Sequence, residues 1–388
     1  MGTIYLDNAA TTPLDDEVRE AMLPFVKAAW GNPSSLHRRG IAAREAIDRA
    51  RGQVARAVGA RPEHVLFTSG GTEANNLALL GLVRGGGGQG GSIFIGPTEH
   101  ASIRASAEAL AQDSRPAGTL ELRHGELDDD GALDLDQLGR SLDTGTLLVA
   151  QMLVSNEFGS IYPVSRVAAT MRARAPQALL HVDAIQALGK LPLSMAELGA
   201  DSLSLSAHKV HGPVGVGALV LARDLPLQPL FFGGGQEGGL RSGTENLPGI
   251  VGFGHAAEMA SRRQGETLTK LRELRERLVT GLARIDGLRC LASVHQDLQQ
   301  PGILSVLVSG APAEVWLHHL DARGVVVSVG SACQANKREV SPVLLAAGLT
   351  PEDARQVLRL SPAPTNTVEE IDRVLELIEE VRGELAAL

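Results

Sequence analysis

The sequence predicts an α/β protein: a mostly parallel sheet covered by helices, followed by a smaller α+β domain. Three observations predict it. From Ile93 to Leu221 short apolar runs alternate with helical stretches, the pattern of a parallel sheet with crossover helices. Polar clusters stand where those runs end: Thr98-Glu99-His100, Ser155-Asn156-Glu157, Asp183 with Gln186, and Ser206-His208-Lys209. The carboxyl edge of such a sheet is where ligands bind. Beyond about Gly254 the composition shifts to a long charged helix and a second group of strand candidates.

In chain order, residues 5–12 read as an extended segment ending at Pro13, and a helix over 15–29 opens with acidic residues, as the helix dipole prefers. Gly31-Asn32-Pro33-Ser34-Ser35 is a loop. A helix over 39–58 carries Ile41, Ile47, Val54 and Val58 among alanines, its arginines forming a solvated face. A strand over 65–68 runs into Ser69-Gly70-Gly71-Thr72-Glu73, which opens a helix to Leu82. That turn can offer backbone N–H groups to a phosphate, although a Gly-Gly turn is more often only a turn. The run 85–91 is a flexible connection.

Further strands are expected at 93–95, 147–150, 179–182 and 203–205, with helices over 164–175 and 185–188 between them. Residues 233–238 fit G-x-G-x-x-G formally, but no strand–turn–helix context supports a nucleotide site there. After a helix over 266–285 come strands at 303–308 and 325–327. The terminal helix opens on a Thr367/Glu370 capping box and sets Ile371, Val374, Leu375, Ile378 and Val381 on one face.

Charge and composition exclude several function classes. The net charge of −9 and a pI near 5.7 argue against nucleic acid or anionic membrane as the main partner. Aromatic content of 3% leaves few stacking platforms for single strands. No window has the apolar length of a membrane span, and no signal peptide opens the chain. Two cysteines cannot build a disulfide framework, which points to the cytoplasm. His208 and His211 alone do not make a metal site, and no metal is expected. Lys209 follows a strand beside Ser206 and His208, where a Schiff-base lysine would sit if a pyridoxal phosphate ring were near; a solvated turn lysine is the commoner use.

The polar clusters together resemble one family. Tyr5-Leu6-Asp7-Asn8-Ala9-Ala10-Thr11-Thr12, Gly31-Asn32-Pro33, Phe67-Thr68-Ser69-Gly70-Gly71-Thr72-Glu73-Ala74-Asn75-Asn76, Thr98-Glu99-His100, Asn156-Glu157, Asp183-Ala184-Ile185-Gln186, Ser206-Ala207-His208-Lys209, Arg241-Ser242-Gly243-Thr244 and Gly330-Ser331-Ala332-Cys333 follow the order found in NifS/IscS-type cysteine desulfurases. These are pyridoxal phosphate enzymes of the type I fold, and the resemblance covers almost the whole chain.

It implies a seven-stranded sheet with helices on both faces, a large domain over 14–254, and a small domain from 1–13 and 255–388 carrying the Cys333 loop. Lys209 would hold the cofactor, Asp183 would pair with its pyridine nitrogen, and Gln186 and Asn156 would reach its phenolic oxygen. For Asp183 alone, a helix N-cap before Ala184 is the alternative, a common use of Asp. His100 would stack on the ring and move protons. Gly71, Thr72, Ser206 and His208 would take the phosphate, and Thr244 would reach the neighbouring subunit's phosphate in a homodimer. Arg359 would clamp the substrate α-carboxylate, with a salt-bridged strand arginine as the alternative. L-Cysteine would become L-alanine through a ketimine, its sulfur passing to Cys333 as a persulfide and then to an acceptor protein of an iron–sulfur, thiolation or DNA-modification pathway. Other type I enzymes, an aminotransferase or a selenocysteine lyase, and a non-catalytic sulfur-relay scaffold are the rivals. Cys290, among apolar residues, reads as a buried structural thiol. His211, Gly238 and Pro362-Ala363-Pro364 depart from the family's usual pattern.

Overall fold

Alternation along each strand builds the main sheet. The structure, a computed structural model, describes residues 2–87, 90–112, 119–128, 130–291, 298–330 and 340–387. Its strands are β1 (Ile4–Tyr5), β2 (Val65–Thr68), β3 (Gly91–Ile95), β4 (Leu120–His124), β5 (Thr146–Ala150), β6 (Leu179–Asp183), β7 (Ser202–Ser206), β8 (Gly217–Leu221), β9 (Leu288–Leu291), β10 (Leu304–Val308), β11 (Val325–Val326), β12 (Ser328–Val329) and β13 (Val357–Leu360). Seven of them form one sheet in the order β2-β8-β7-β6-β5-β3-β4. The run from β7 to β4 is parallel, and β8 is antiparallel to both of its neighbours.

Phe67, Phe94, Val149 and Val182 face one core, shared with helices Asp16–Lys27, Arg38–Ala57, Val164–Arg174 and Leu247–Arg262. Leu66, Ile93, Ile95 and Leu148 face another, shared with helices Gly71–Gly85 and Ala101–Gln112. A sheet buried on both faces this way needs apolar residues at successive positions, which is why its strands read as continuous apolar runs. Gly217, opening β8, allows the close approach of β2 and β7: a Cβ there would stand 2.6 Å from the Leu205 carbonyl and 2.7 Å from Gly70.

A second, antiparallel sheet runs β12-β13-β10-β9. Helices Gln264–Leu282, Ala313–Asp321 and Val368–Ala386 pack against it around the fully buried Trp316. The terminal helix has the expected capping box, Thr367 with Glu370. β1 pairs in parallel with β11, and Leu6 joins this second core.

Three local expectations fail. Residues 185–190 form successive turns instead of a helix, because Asp183 Oδ1 accepts the Ile185 N–H at 3.0 Å and Gly189 takes φ 71°. Helices Ala101–Gln112 and Leu247–Arg262 were not foreseen, since small residues blur their periodicity, and neither was the edge strand β4. The strand expected at 325–327 breaks into β11 and β12, which serve different sheets. Cys333 and its neighbours 331–339 lie outside the described residues.

Candidate active site

The carboxyl ends of β2, β6 and β7 meet at one edge. Helix Gly71–Gly85 starts there with no side chain capping its first N–H groups. Gly71 is required: a Cβ would fall 2.1 Å from Ile185 Cδ1, and 3.7 Å from Ser206 Cβ. Ser206 is 1% exposed, and its Oγ has no hydrogen-bond partner. An orphaned buried hydroxyl beside an uncapped helix N-terminus fits a phosphate group. Thr72 is exposed at the same turn. Half-buried His208 pairs through Nδ1 with Thr11 Oγ1 at 3.1 Å. Burial, then the charges of Lys209 and Lys190, push its pKa down to about 4, so the ring is neutral at pH 7.

Lys209 ends a single 3₁₀ turn after β7. Its Nζ donates to the carbonyls of Ala9 at 2.5 Å and Ala10 at 2.7 Å. Asp183, at the end of β6 and 5% exposed, accepts the Ile185 N–H on Oδ1 and Asn75 Nδ2 on Oδ2 at 2.8 Å. No helix follows for Asp183 to cap; its Oδ1 caps the turn at Ile185 instead. Gln186 Nε2 donates to the Ala9 carbonyl at 2.9 Å, and its Oε1 accepts from Lys190 Nζ at 3.2 Å.

His100 is bound at Nδ1 by the Ser102 N–H at 3.1 Å and by the Ser102 hydroxyl at 2.8 Å. An amide N–H only donates, so Nδ1 is the bare nitrogen and Nε2 carries the hydrogen of the neutral ring. Burial lowers the His100 pKa, opposed by Asp183 and assisted by Lys209. Ser102 Oγ in turn accepts from Asn75 Nδ2 at 2.9 Å, so Asn75 links His100 to Asp183. Asn75 Oδ1 pairs with His181 Nε2 at 3.1 Å, and burial pushes the His181 pKa down to about 3.

Arg359 on β13 is 4% exposed. It donates through Nη2 to Asp7 Oδ1 at 2.8 Å and through Nη1 to the Asn156 carbonyl at 2.9 Å. Its Nε is buried without a partner, which leaves a donor for an arriving carboxylate. Thr244 stands apart from this cluster, exposed on a loop fastened by the Arg241 fork onto Glu73 at 2.8 and 3.2 Å.

Residues 4–374 match the family described as Aminotransferase class-V. The chain belongs to that family. It is 37% identical over 374 residues to cysteine desulfurase IscS 1 of Archaeoglobus fulgidus, covering 96% of this chain and 95% of that protein. It is 40% identical over 390 residues to a cysteine desulfurase of Cereibacter sphaeroides, covering 100% and 98%. The solved structure of a NifS-like protein superposes with a TM-score of 0.91 at 34% identity, over 98% of this chain and all of that one.

In this class-V aminotransferase family member, motif reading alone missed several residues that hold the site. Asn75 lay inside a quoted motif without a role, and Asp7, Ser102 and Lys190 were not singled out. His181 carried a usable signal: a polar residue in the otherwise apolar buried run 179–182 needs a partner, which is Asn75. Cys290 is half-buried at the edge of the second sheet, not fully buried as expected. Burial raises its thiol pKa above the ordinary value, which makes it a poor nucleophile. Among the described residues no group of His, Cys, Asp and Glu could hold a metal, and no helix is long and apolar enough to cross a membrane.

Proposed function

We propose that the chain is a pyridoxal phosphate-dependent cysteine desulfurase that converts L-cysteine to L-alanine and passes the sulfur to Cys333. One observation carries this reading: Lys209, Asp183 and orphaned Ser206 share one sheet edge in a chain similar over nearly its whole length to cysteine desulfurases. Ser206, His208 and the N–H groups of Gly71 and Thr72 would hold the phosphate, Asp183 the pyridine nitrogen, and Gln186 with Asn156 the phenolic oxygen. Pyridoxal phosphate, when bound, supplies an electron sink for charge developing at the substrate Cα.

The protein's own groups do the rest. Arg359 binds the α-carboxylate through its free Nε, with its guanidinium plane fixed by Asp7 and Asn156. Lys209 Nζ takes the Cα proton, and the Ala9 and Ala10 carbonyls steady the amine. The Cys333 thiolate would attack the substrate sulfur and form the persulfide S–S bond as the Cβ–S bond breaks, its electron pair staying on the carbon side. A proton delivered by way of His100 to that carbon completes alanine, and a thiol of an acceptor protein then removes the outer sulfur. The chain works as a homodimer in the cytoplasm, with Thr244 completing the neighbour's phosphate site; the exposure of Thr244 on a fastened loop supports this.

The deciding assay follows alanine and sulfide release from L-cysteine in wild type and Cys333→Ser. Wild type is expected to turn over and the variant to lose persulfide formation. Equal turnover in both would reject the persulfide route and favour a lyase or aminotransferase reading.

A further inference from the structure

Gln186 stands between two lysines. Lys190 Nζ donates to its Oε1 at 3.2 Å, and its Nε2 donates to the Ala9 carbonyl, which also accepts from Lys209 Nζ. A carboxamide has one acceptor end and one donor end. Flipping it would face Oε1 toward the Ala9 carbonyl, acceptor against acceptor, and turn the NH2 group onto Lys190. The bond to Ala9 uses one Nε2 hydrogen, and the second is left for a ligand.

Lys190 is an unusual residue to find here. Among the described residues it pairs with no carboxylate; its hydrogen bond goes to the neutral Gln186 amide. Burial, then the charges of Lys209 and Arg359, push its pKa down to about 7. Both protonation forms keep N–H groups to give to Gln186 Oε1. On its other side lies a cavity of about 140 Å³ that it shares with Lys209, Asn8 and Gln300. Asn8 Oδ1 and both polar atoms of the Gln300 amide are buried without partners in residues that line it, while Val18, Leu188 and Met259 make much of its wall apolar. Asp15, His211 and Arg263 complete the charged surroundings; Asp15 is paired with Arg263 at 3.3 Å, and burial keeps His211 low. Lys190 is partly buried, and its one hydrogen bond goes to a neutral amide, so no opposite charge offsets its desolvation.

We propose that Lys190 is a positioning residue of the cofactor site, holding the Gln186 amide so that its NH2 group meets the phenolic oxygen of bound pyridoxal phosphate. The inference rests on the cofactor reading above.

The test titrates apoprotein with pyridoxal phosphate and follows the visible band for wild type, Lys190→Met, Gln186→Leu and the double variant. Each single variant is expected to bind about tenfold more weakly, and the double no more weakly than either single. Wild-type affinity in Lys190→Met, or losses that add in the double variant, would overturn the proposal. A crystal structure of Lys190→Met apoprotein is expected to show Gln186 Nε2 detached from the Ala9 carbonyl; an unmoved amide also overturns it. Wild type that takes up no pyridoxal phosphate defeats the cofactor reading instead, and that crystal structure then decides the amide's placement by itself.

Discussion

Ser206 shows what a single atom can report. Its Oγ is buried and unpartnered, so it lowers the stability of the empty fold. Ser206→Ala should therefore leave the apoprotein's melting temperature unchanged or slightly higher, while weakening pyridoxal phosphate binding about tenfold. Thermal melts of the apoprotein beside a binding titration check this. A variant that melts early yet binds like wild type would place the hydroxyl in the fold, not in the ligand site. The placing of Ser206, Asp183 and Lys209 at one sheet edge was legible because Ser206 and Asp183 end strands and Lys209 follows three residues after Ser206. Asn75 and Lys190 were not, because their value lies in whom they touch across the chain: Asn75 meets Asp183 and His181 more than one hundred positions away.

At the scale of elements, the connection leaving β3 carries a buried acid. Glu99 is 0% exposed, accepts the Met152 N–H on Oε1, and leaves Oε2 without a partner. Burial, then the Asp183 charge, push its pKa up to about 8. Gln151 Oε1, also unpartnered, lies beside it: a Cβ on Gly96 would stand 2.5 Å from Gln151 Oε1 and 2.9 Å from Glu99 Oε1. The folded state therefore holds a proton on Glu99 that the unfolded chain releases near pH 4.5. Its contribution is full below that pH and is lost as pH rises through about 8. Glu99→Gln keeps the neutral shape, so its melting temperature should gain on wild type between pH 5 and 8.5. A constant difference across that range would show Glu99 ionised throughout.

Elements differed in legibility for a physical reason. The helix over 38–57 and the terminal helix have one apolar face each; the first was read to within one residue at each end and the second from its capping box. The turns over 185–190 share the composition of a short helix, and only the Asp183 side chain, already committed to the Ile185 N–H, decides between them.

Over the whole molecule, residues 4–12 act as a strap. β1 pairs with β11 beside the second sheet, Asp7 binds Arg359, and Asn8 Nδ2 donates to the Ser361 carbonyl at 2.9 Å. A few residues on, Ala9 and Ala10 hold Lys209, and Thr12 Oγ1 donates to the His208 carbonyl at 3.0 Å. One short segment thus joins the core of the second sheet and reaches the edge of the large sheet and its reactive amine. Removing residues 2–10 should split the calorimetric unfolding into two transitions and weaken cofactor binding at least about tenfold. A single transition with wild-type affinity would show the strap to be dispensable. The sequence indicated two units and the strap's extended form, but not its route, since Asp7 and Arg359 lie at opposite ends of the chain.

That route has a consequence in time. The strap leaves the ribosome before its docking partners around Val325, Arg359 and Ser361, which follow more than three hundred residues later. At ordinary synthesis rates it waits roughly 15 to 60 seconds for them. Ala9, Ala10 and Thr12 meet their partners Lys209 and His208 once about two hundred residues have been made, whereas Asp7 and Asn8 wait for Arg359 and Ser361, so the strap docks in two stages.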